Sequence, residues 1–154
     1  MVSDGARQLR LLARDLDRAG KELRMELPKA LKRAAAPMVE AIRADARERL
    51  PHRGGLAEYV AKATISVQVR TGANNASARL VGRRKQTRAG GQVDLPAINR
   101  GRLRHPTYGH GPWVTQTVPA GFWDDGVTHA QGAVDRELQA ALDQVRRRIE
   151  QSGI

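Results

Sequence analysis

The spacing of apolar residues changes twice along this chain, and that change restricts the fold more than any other feature. Leu9, Leu12, Leu16, Ala19 and Leu23 recur at alternating steps of three and four with charged residues between them. This is the narrow seam of an amphipathic helix over residues 4–26, suited to packing on one partner helix. Pro28 is expected to end that helix and open the next, because proline is tolerated at a first helical position. Leu31, Ala35, Met38, Ile42 and Ala46 continue a helical stripe to about Leu50. Pro37 lies inside the stripe and should kink it by removing one backbone hydrogen bond.

Residues 51–55, Pro-His-Arg-Gly-Gly, form a turn cluster, and beyond it the period falls to two. Ile65, Val67 and Val69 alternate with Ser66, Gln68 and Arg70, which predicts a half-buried strand over 63–70. Residues 72–75, Gly-Ala-Asn-Asn, tolerate positive φ, and 77–81 supply a second strand, so the pair reads as a β-hairpin. Residues 82–104 read as a long basic loop with a short strand at 92–95. Residues 113–118 alternate again as a third strand, Pro119 and Gly121 break it, and a helix follows over 121–151 with Val127, Ala130, Val134, Leu138, Ala141, Val145 and Ile149 on its apolar side. The expected fold is a single α+β domain over 1–154. It has a helical part at 1–50, a small antiparallel sheet with the basic loop at 60–120, and a long C-terminal helix covering one sheet face.

Aromatic residues make up 3% of the chain, so Leu, Val, Ile and Ala must form most of the core, and so lean a core suggests help from neighbouring molecules. The chain has no Cys, which removes disulfides, thiolate nucleophiles and Cys-type zinc sites. No apolar run approaches the roughly 18 residues of a membrane span, and the first residues lack a signal-peptide apolar region, so a soluble protein made in the cytoplasm is expected. The net charge of +11 is concentrated in residues 54–111, which carry 10 basic and 2 acidic side chains. Such an excess favours an anionic partner, either nucleic acid or an acidic protein surface.

Motifs for catalysis are weak. His52, His105, His110 and His129 do not share a helix face, and no carboxylate lies between Asp94 and Asp124 to complete a metal site with His105 and His110. Asp124 and Asp125 fit the start of a helix, where carboxylates meet the positive end of the dipole, better than two-metal chemistry. No serine sits in a nucleophile elbow and no glycine loop has a phosphate-cradling pattern. The expectation is a non-enzyme without cofactor or metal, a small hydrolase using His105 or His110 being the remote alternative.

The cations Arg83, Arg84, Lys85, Arg88, Arg100, Arg102 and Arg104 have two readings. They bind phosphates without sequence preference, as in a nucleic-acid module, or they dock acidic residues of a neighbouring subunit. The stretch contains neither an aromatic stacking residue nor a recognition helix, which favours protein docking or a solvated loop over direct DNA binding.

The most informative segment is 104–124, which holds both Trp, the one Phe and one of the two Tyr. Its His105, Pro106, Tyr108, Gly109, Trp113, Gln116, Pro119, Phe122 and Trp123, in that order before a C-terminal helix, resemble the gene-product-ten-like neck proteins of long-tailed phages. That family is related to the tail-completion protein Z of phage lambda. The resemblance covers about twenty residues sharply and most of the chain loosely. It implies a structural virion protein at the head-to-tail connection, assembled in the host cytoplasm. It further implies a homo-oligomeric ring of six-fold symmetry between connector and tail tube, with the head-completion (stopper) protein, the tail terminator and the tube as neighbours and DNA passing through the channel. Within the same resemblance a tail terminator or minor tail protein remains the alternative role. His105-Pro106 and Tyr108-Gly109 would then fix a rigid turn. Trp113, Phe122 and Trp123 would anchor the core or fill a neighbour's pocket.

Overall fold

The computed structural model describes Arg7, Leu11 and residues 21–70, 77–83, 94–107 and 111–151. In chain order its elements are α1 (Lys21–Ala34), α2 (Ala36–Arg49), α3 (Leu56–Ala61), β1 (Ile65–Arg70), β2 (Ser77–Gly82), α4 (Leu95–Asn99), β3 (Arg102–Pro106), β4 (Trp113–Thr117) and α5 (Phe122–Gln151). The fold is α+β, as the change of period implies. No helix among the described residues is long and apolar enough to cross a membrane.

Arg7 and Leu11 are helical, but most of the first predicted helix lies outside the described residues. Pro28 does not end a helix as expected: α1 runs through it to Ala34. An internal proline costs about 3 kcal/mol. Leu27, Ala30, Leu31 and Ala34 are all buried on both sides of it, and burying a single Leu recovers about 1.5–3 kcal/mol. The interruption falls instead at Ala35, whose N–H still donates to the Leu31 carbonyl at 3.1 Å. Pro37 therefore does not kink a continuous helix. It is the second residue of α2, where its missing N–H has no intrahelical acceptor to lose.

The chain divides into two compact units, each discontinuous in sequence. One comprises α1, residues 67–70 and 77–80 of the β1 and β2 strands, and α5 from Gly132 onward. Its core is Leu27, Ala30 and Leu31 against Leu142 and Val145, with Val69, Leu138, Ala141 and Ile149 at the margin. At its rim Arg148 Nη1 meets Glu26 Oε2 at 3.2 Å.

The other unit comprises residues 38–66 and the described part of 81–131. Ile42, Ala46, Leu50, Ala57, Val60, Leu95, Ile98, Val118 and Phe122 form its interior. Gly126 lies against the backbone of Ile42, so closely that a Cβ there would sit 2.6 Å from the Ile42 Cα.

Two separate two-stranded sheets replace the single sheet expected for 60–120. β1 pairs with β2 as the predicted hairpin, its 72–75 turn lying outside the described residues. A connection this short excludes parallel pairing. At the open end the Arg83 N–H donates to the Thr64 carbonyl at 2.9 Å. β3 pairs with β4 antiparallel, from Arg102 opposite Thr117 to Pro106 opposite Trp113.

The expected loop over 82–104 is therefore a helix and a strand in its described second half. Asp94 and Leu95, assigned to a strand at 92–95, are the cap and first residue of α4. The Asp94 side chain accepts from the Ala97 N–H at 3.3 Å, Pro96 occupies an early helical position, and Leu95 and Ile98 are buried one turn apart. The short helix α3 was not signalled by periodicity, since six residues hold too few turns to show one.

Gly126→Ala gains helix propensity but drives a methyl group into backbone. Overpacking of this kind costs about 1–3 kcal/mol, more than the roughly 1 kcal/mol gained from propensity. The variant is expected to unfold at lower urea concentration than the wild type, measured by far-ultraviolet circular dichroism.

Candidate functional site

The aromatic and basic residues of 102–117 become a surface once the strands pair. Register places Arg102, Arg104, Trp113, Thr115 and Thr117 on one face of the β3–β4 sheet and Leu103, His105, Val114 and Gln116 on the other.

The first face is open. Arg102, Arg104, Trp113, Thr115 and Thr117 are all exposed, with Trp113 at 48%. The guanidinium carbon of Arg104 lies 5.5 Å from the centre of the Trp113 ring, a cation–π contact reaching from one strand across to the other. No carboxylate occurs on either strand, and among the described residues neither arginine is in an ion pair. Of the two roles expected for Trp113, core anchor or occupant of a neighbour's pocket, its exposed place on the strand rules out the first. Phe122, 1% exposed, takes that role, and Trp123 is half-buried beside Leu95 and Gly82.

The second face forms one wall of a cleft of about 420 Å³. Leu103, His105, Gln116 and Val118 line it from the sheet side, and Pro51, Arg53, Leu56 and Tyr59 line it from the 51–55 turn and α3. Gly54 and Gly55, with φ of 84° and 76°, make the turn at its rim in a conformation that side-chain-bearing residues rarely adopt. Burial raises the Tyr59 phenol above its ordinary value of 10.0.

His105 and Pro106 do not form a turn. They are the last two residues of β3, paired with Val114 and Trp113, because the chain reverses later, where the Thr107 N–H donates to the Pro112 carbonyl at 3.0 Å. Tyr108, Gly109 and His110 lie outside the described residues, as do Arg84, Lys85 and Arg88. Arg83 follows the end of β2, and Arg100 caps the C-terminus of α4. Pro119 lies exposed between β4 and α5. Of the seven cations, four are described, and they do not lie in one loop. Arg102 and Arg104 are placed by a strand and share its outer face.

The orientation of this sheet is set by Asn99, which the sequence reading did not single out. Its Oδ1 accepts from the Trp123 N–H at 2.8 Å and its Nδ2 donates to Asp124 Oδ2 at 2.8 Å. Its carbonyl accepts from the Gly121 N–H at 2.9 Å. A side chain from α4 thus caps the first turn of α5, where Gly121 has no side-chain oxygen to offer. Asp125 in the same turn meets Arg49 Nη2 at 2.6 Å, so each carboxylate of the Asp124-Asp125 pair has a structural partner.

The described histidines are dispersed. His52 is exposed in a turn, and His105 Nδ1 lies 3.1 Å from the Pro106 carbonyl. His129 Nδ1 lies 3.1 Å from Oδ2 of Asp45, a carboxylate buried to 6% exposure. This pair joins α2 to α5 and carried no local signal, since its members are 84 positions apart. Among the described residues no group of three or more His, Cys, Asp or Glu could hold a metal ion.

The fold and site define a small α+β protein that displays a cationic, aromatic strand pair. No family model, curated protein or solved structure matches the chain.

Two outcomes follow from these contacts. Asn99→Ala removes the cap of α5 and is expected to destabilise by about 1–2 kcal/mol, seen as a lowered urea midpoint, and Asn99→Asp, which keeps the acceptor for Trp123 but sets a second carboxylate against Asp124, is expected to recover stability only as pH falls into the carboxylate range. For Tyr59 the fold favours the neutral phenol. Its contribution to stability is complete below the ordinary value and is lost as pH rises through the raised one. In a Tyr108→Phe background, phenolate absorbance should emerge at higher pH in the folded chain than in urea.

Proposed function

We propose that this protein is a structural component of a tailed phage particle, one subunit of a ring at the junction of head and tail. The observation that carries the reading is the fate of residues 104–124, the segment with the family resemblance. It forms β3, β4 and the start of α5, tied through Asn99, and turns Arg102, Arg104 and Trp113 outward.

A ring subunit needs surfaces that are held rigid before a neighbour arrives, since ordering them on contact subtracts from affinity. The two-stranded sheet supplies one. Its exposed residues are the types enriched at protein interfaces, an aromatic ring and arginines, with small hydroxyl side chains between them. Among the described residues Phe122 is the one fully buried aromatic, and so lean a core gains stability from such assembly. The reading assigns the protein no reaction and no cofactor. It places the subunits around a channel through which DNA passes, with the connector on one side and the tail tube on the other.

In particles of the phage that encodes this chain, cryo-electron microscopy is expected to show a closed ring of it between connector and tail tube. Absence of the protein from purified particles overturns the proposal. Replacing Arg102, Arg104 and Trp113 together with Ala should leave the circular dichroism spectrum unchanged. It should also reduce incorporation into particles at least tenfold, scored by quantitative mass spectrometry.

A further inference from the structure

β4 is an edge strand with a defined set of free backbone groups. In an antiparallel pair, residues that exchange hydrogen bonds alternate with residues whose N–H and C=O point away from the partner. The Val118 N–H donates to the Gly101 carbonyl at 3.0 Å, and the Thr107 N–H donates to the Pro112 carbonyl at 3.0 Å. These bonds bracket the ladder and fix its phase, so Val114 and Gln116 are the β4 residues bonded to β3. Trp113, Thr115 and Thr117 direct their N–H and C=O groups to the other edge. No strand among the described residues pairs with that edge, and all five residues of β4 are exposed.

An open edge of this kind accepts an extended polypeptide by strand addition, main-chain bonds giving affinity and alternate side chains giving specificity. Side chains of an added strand would alternate between the two faces of the sheet. On one face they meet Arg102 and Arg104, with no carboxylate on either strand to offset them. An added strand lies about 10 Å from β3, two strand spacings away. The Arg104 guanidinium carbon lies 5.5 Å from the Trp113 ring centre, so this β3 side chain already reaches a side chain of β4, and Thr115 and Thr117 are short. On the other face the added side chains meet Val114, which is 41% exposed.

We propose that the outer edge of β4 binds an extended segment of a partner protein in which acidic and apolar residues alternate, the acidic side chains facing Arg102 and Arg104 and the apolar ones packing beside Val114. A row of outward main-chain donors and acceptors favours a polypeptide over nucleic acid, which has no strand to add. The inference takes from the proposed function only that this surface meets a partner. The two fail separately, since one is read in particles and the other on the purified chain.

The test uses the full chain with three probes: a peptide alternating Glu and Val, the same peptide with Lys for Glu, and a single-stranded oligothymidylate. Calorimetry should show binding of the Glu peptide at low salt and at least tenfold weaker binding of the Lys peptide. Arg102→Ala with Arg104→Ala should weaken the Glu peptide at least tenfold. Thr115→Pro removes an outward N–H without touching the β3–β4 bonds and should weaken it to a similar extent. Should that variant fail to fold, amide hydrogen exchange of the wild type decides. On adding peptide, the amides of Trp113, Thr115 and Thr117 should slow at least tenfold, while those of Val114 and Gln116 change less. Absence of Glu-peptide binding overturns the proposal. So does binding without selective protection of those three amides, or tighter binding of the oligonucleotide than of the peptide.

Discussion

Three hydrogen bonds to Asn99 hold the start of α5 to α4 and the strand that follows it. A helix beginning at Phe122 after a glycine has no side-chain cap of its own, and its first N–H groups must be satisfied from elsewhere in the chain. Asn99 does this from 24 positions away, bonding both ends of its amide to consecutive residues. Because β3 begins three residues after Asn99, the same contact aims the β3–β4 sheet. Phe122 enters the core from this fixed point, and Val118, the residue after β4, is buried as well.

The sheet that results has two unlike faces. Its inner face carries Leu103, His105 and Gln116 toward the cleft shared with Tyr59 and Arg53. Its outer face carries two arginines, a tryptophan and two threonines in water. Leaving Trp113 half exposed in a chain with so few aromatic residues forgoes burial that this core would otherwise use. The cation–π contact with Arg104 recovers only part of it, about 0.5–1 kcal/mol at an exposed site. This loss in the isolated chain is intelligible for a surface that is covered in an assembly. The like charges of Arg102 and Arg104 act in the same direction, since an anionic partner relieves their repulsion.

Much of the fold was legible because it is written in local periodicity. The stripe from Val127 to Ile149 became a continuous helix, and Ile65, Val67 and Val69 became a strand paired with the next one. Tertiary packing overruled local rules at Pro28, where buried leucines and alanines on both sides carried α1 through the proline. It did so again at 94–104, where glycine and arginine content suggested a loop, while the Asp94 cap and the burial of Leu95 and Ile98 made a helix. The candidate site was half legible. Arg102, Arg104 and Trp113 were all singled out, but in two separate groups, because nothing local relates Arg104 to a residue nine positions later.

By itself the sequence determined the α+β class, the long C-terminal helix, the positive middle segment and the concentration of aromatics in 104–124, since each depends on composition or on neighbours within a few positions. Only the tertiary structure decided that Arg104 leans on Trp113, that Asn99 caps α5, that Asp45 meets His129, and that the strands form two sheets. These depend on strand register and on contacts between distant positions, and a shift of one residue in pairing would have sent Trp113 to the opposite face.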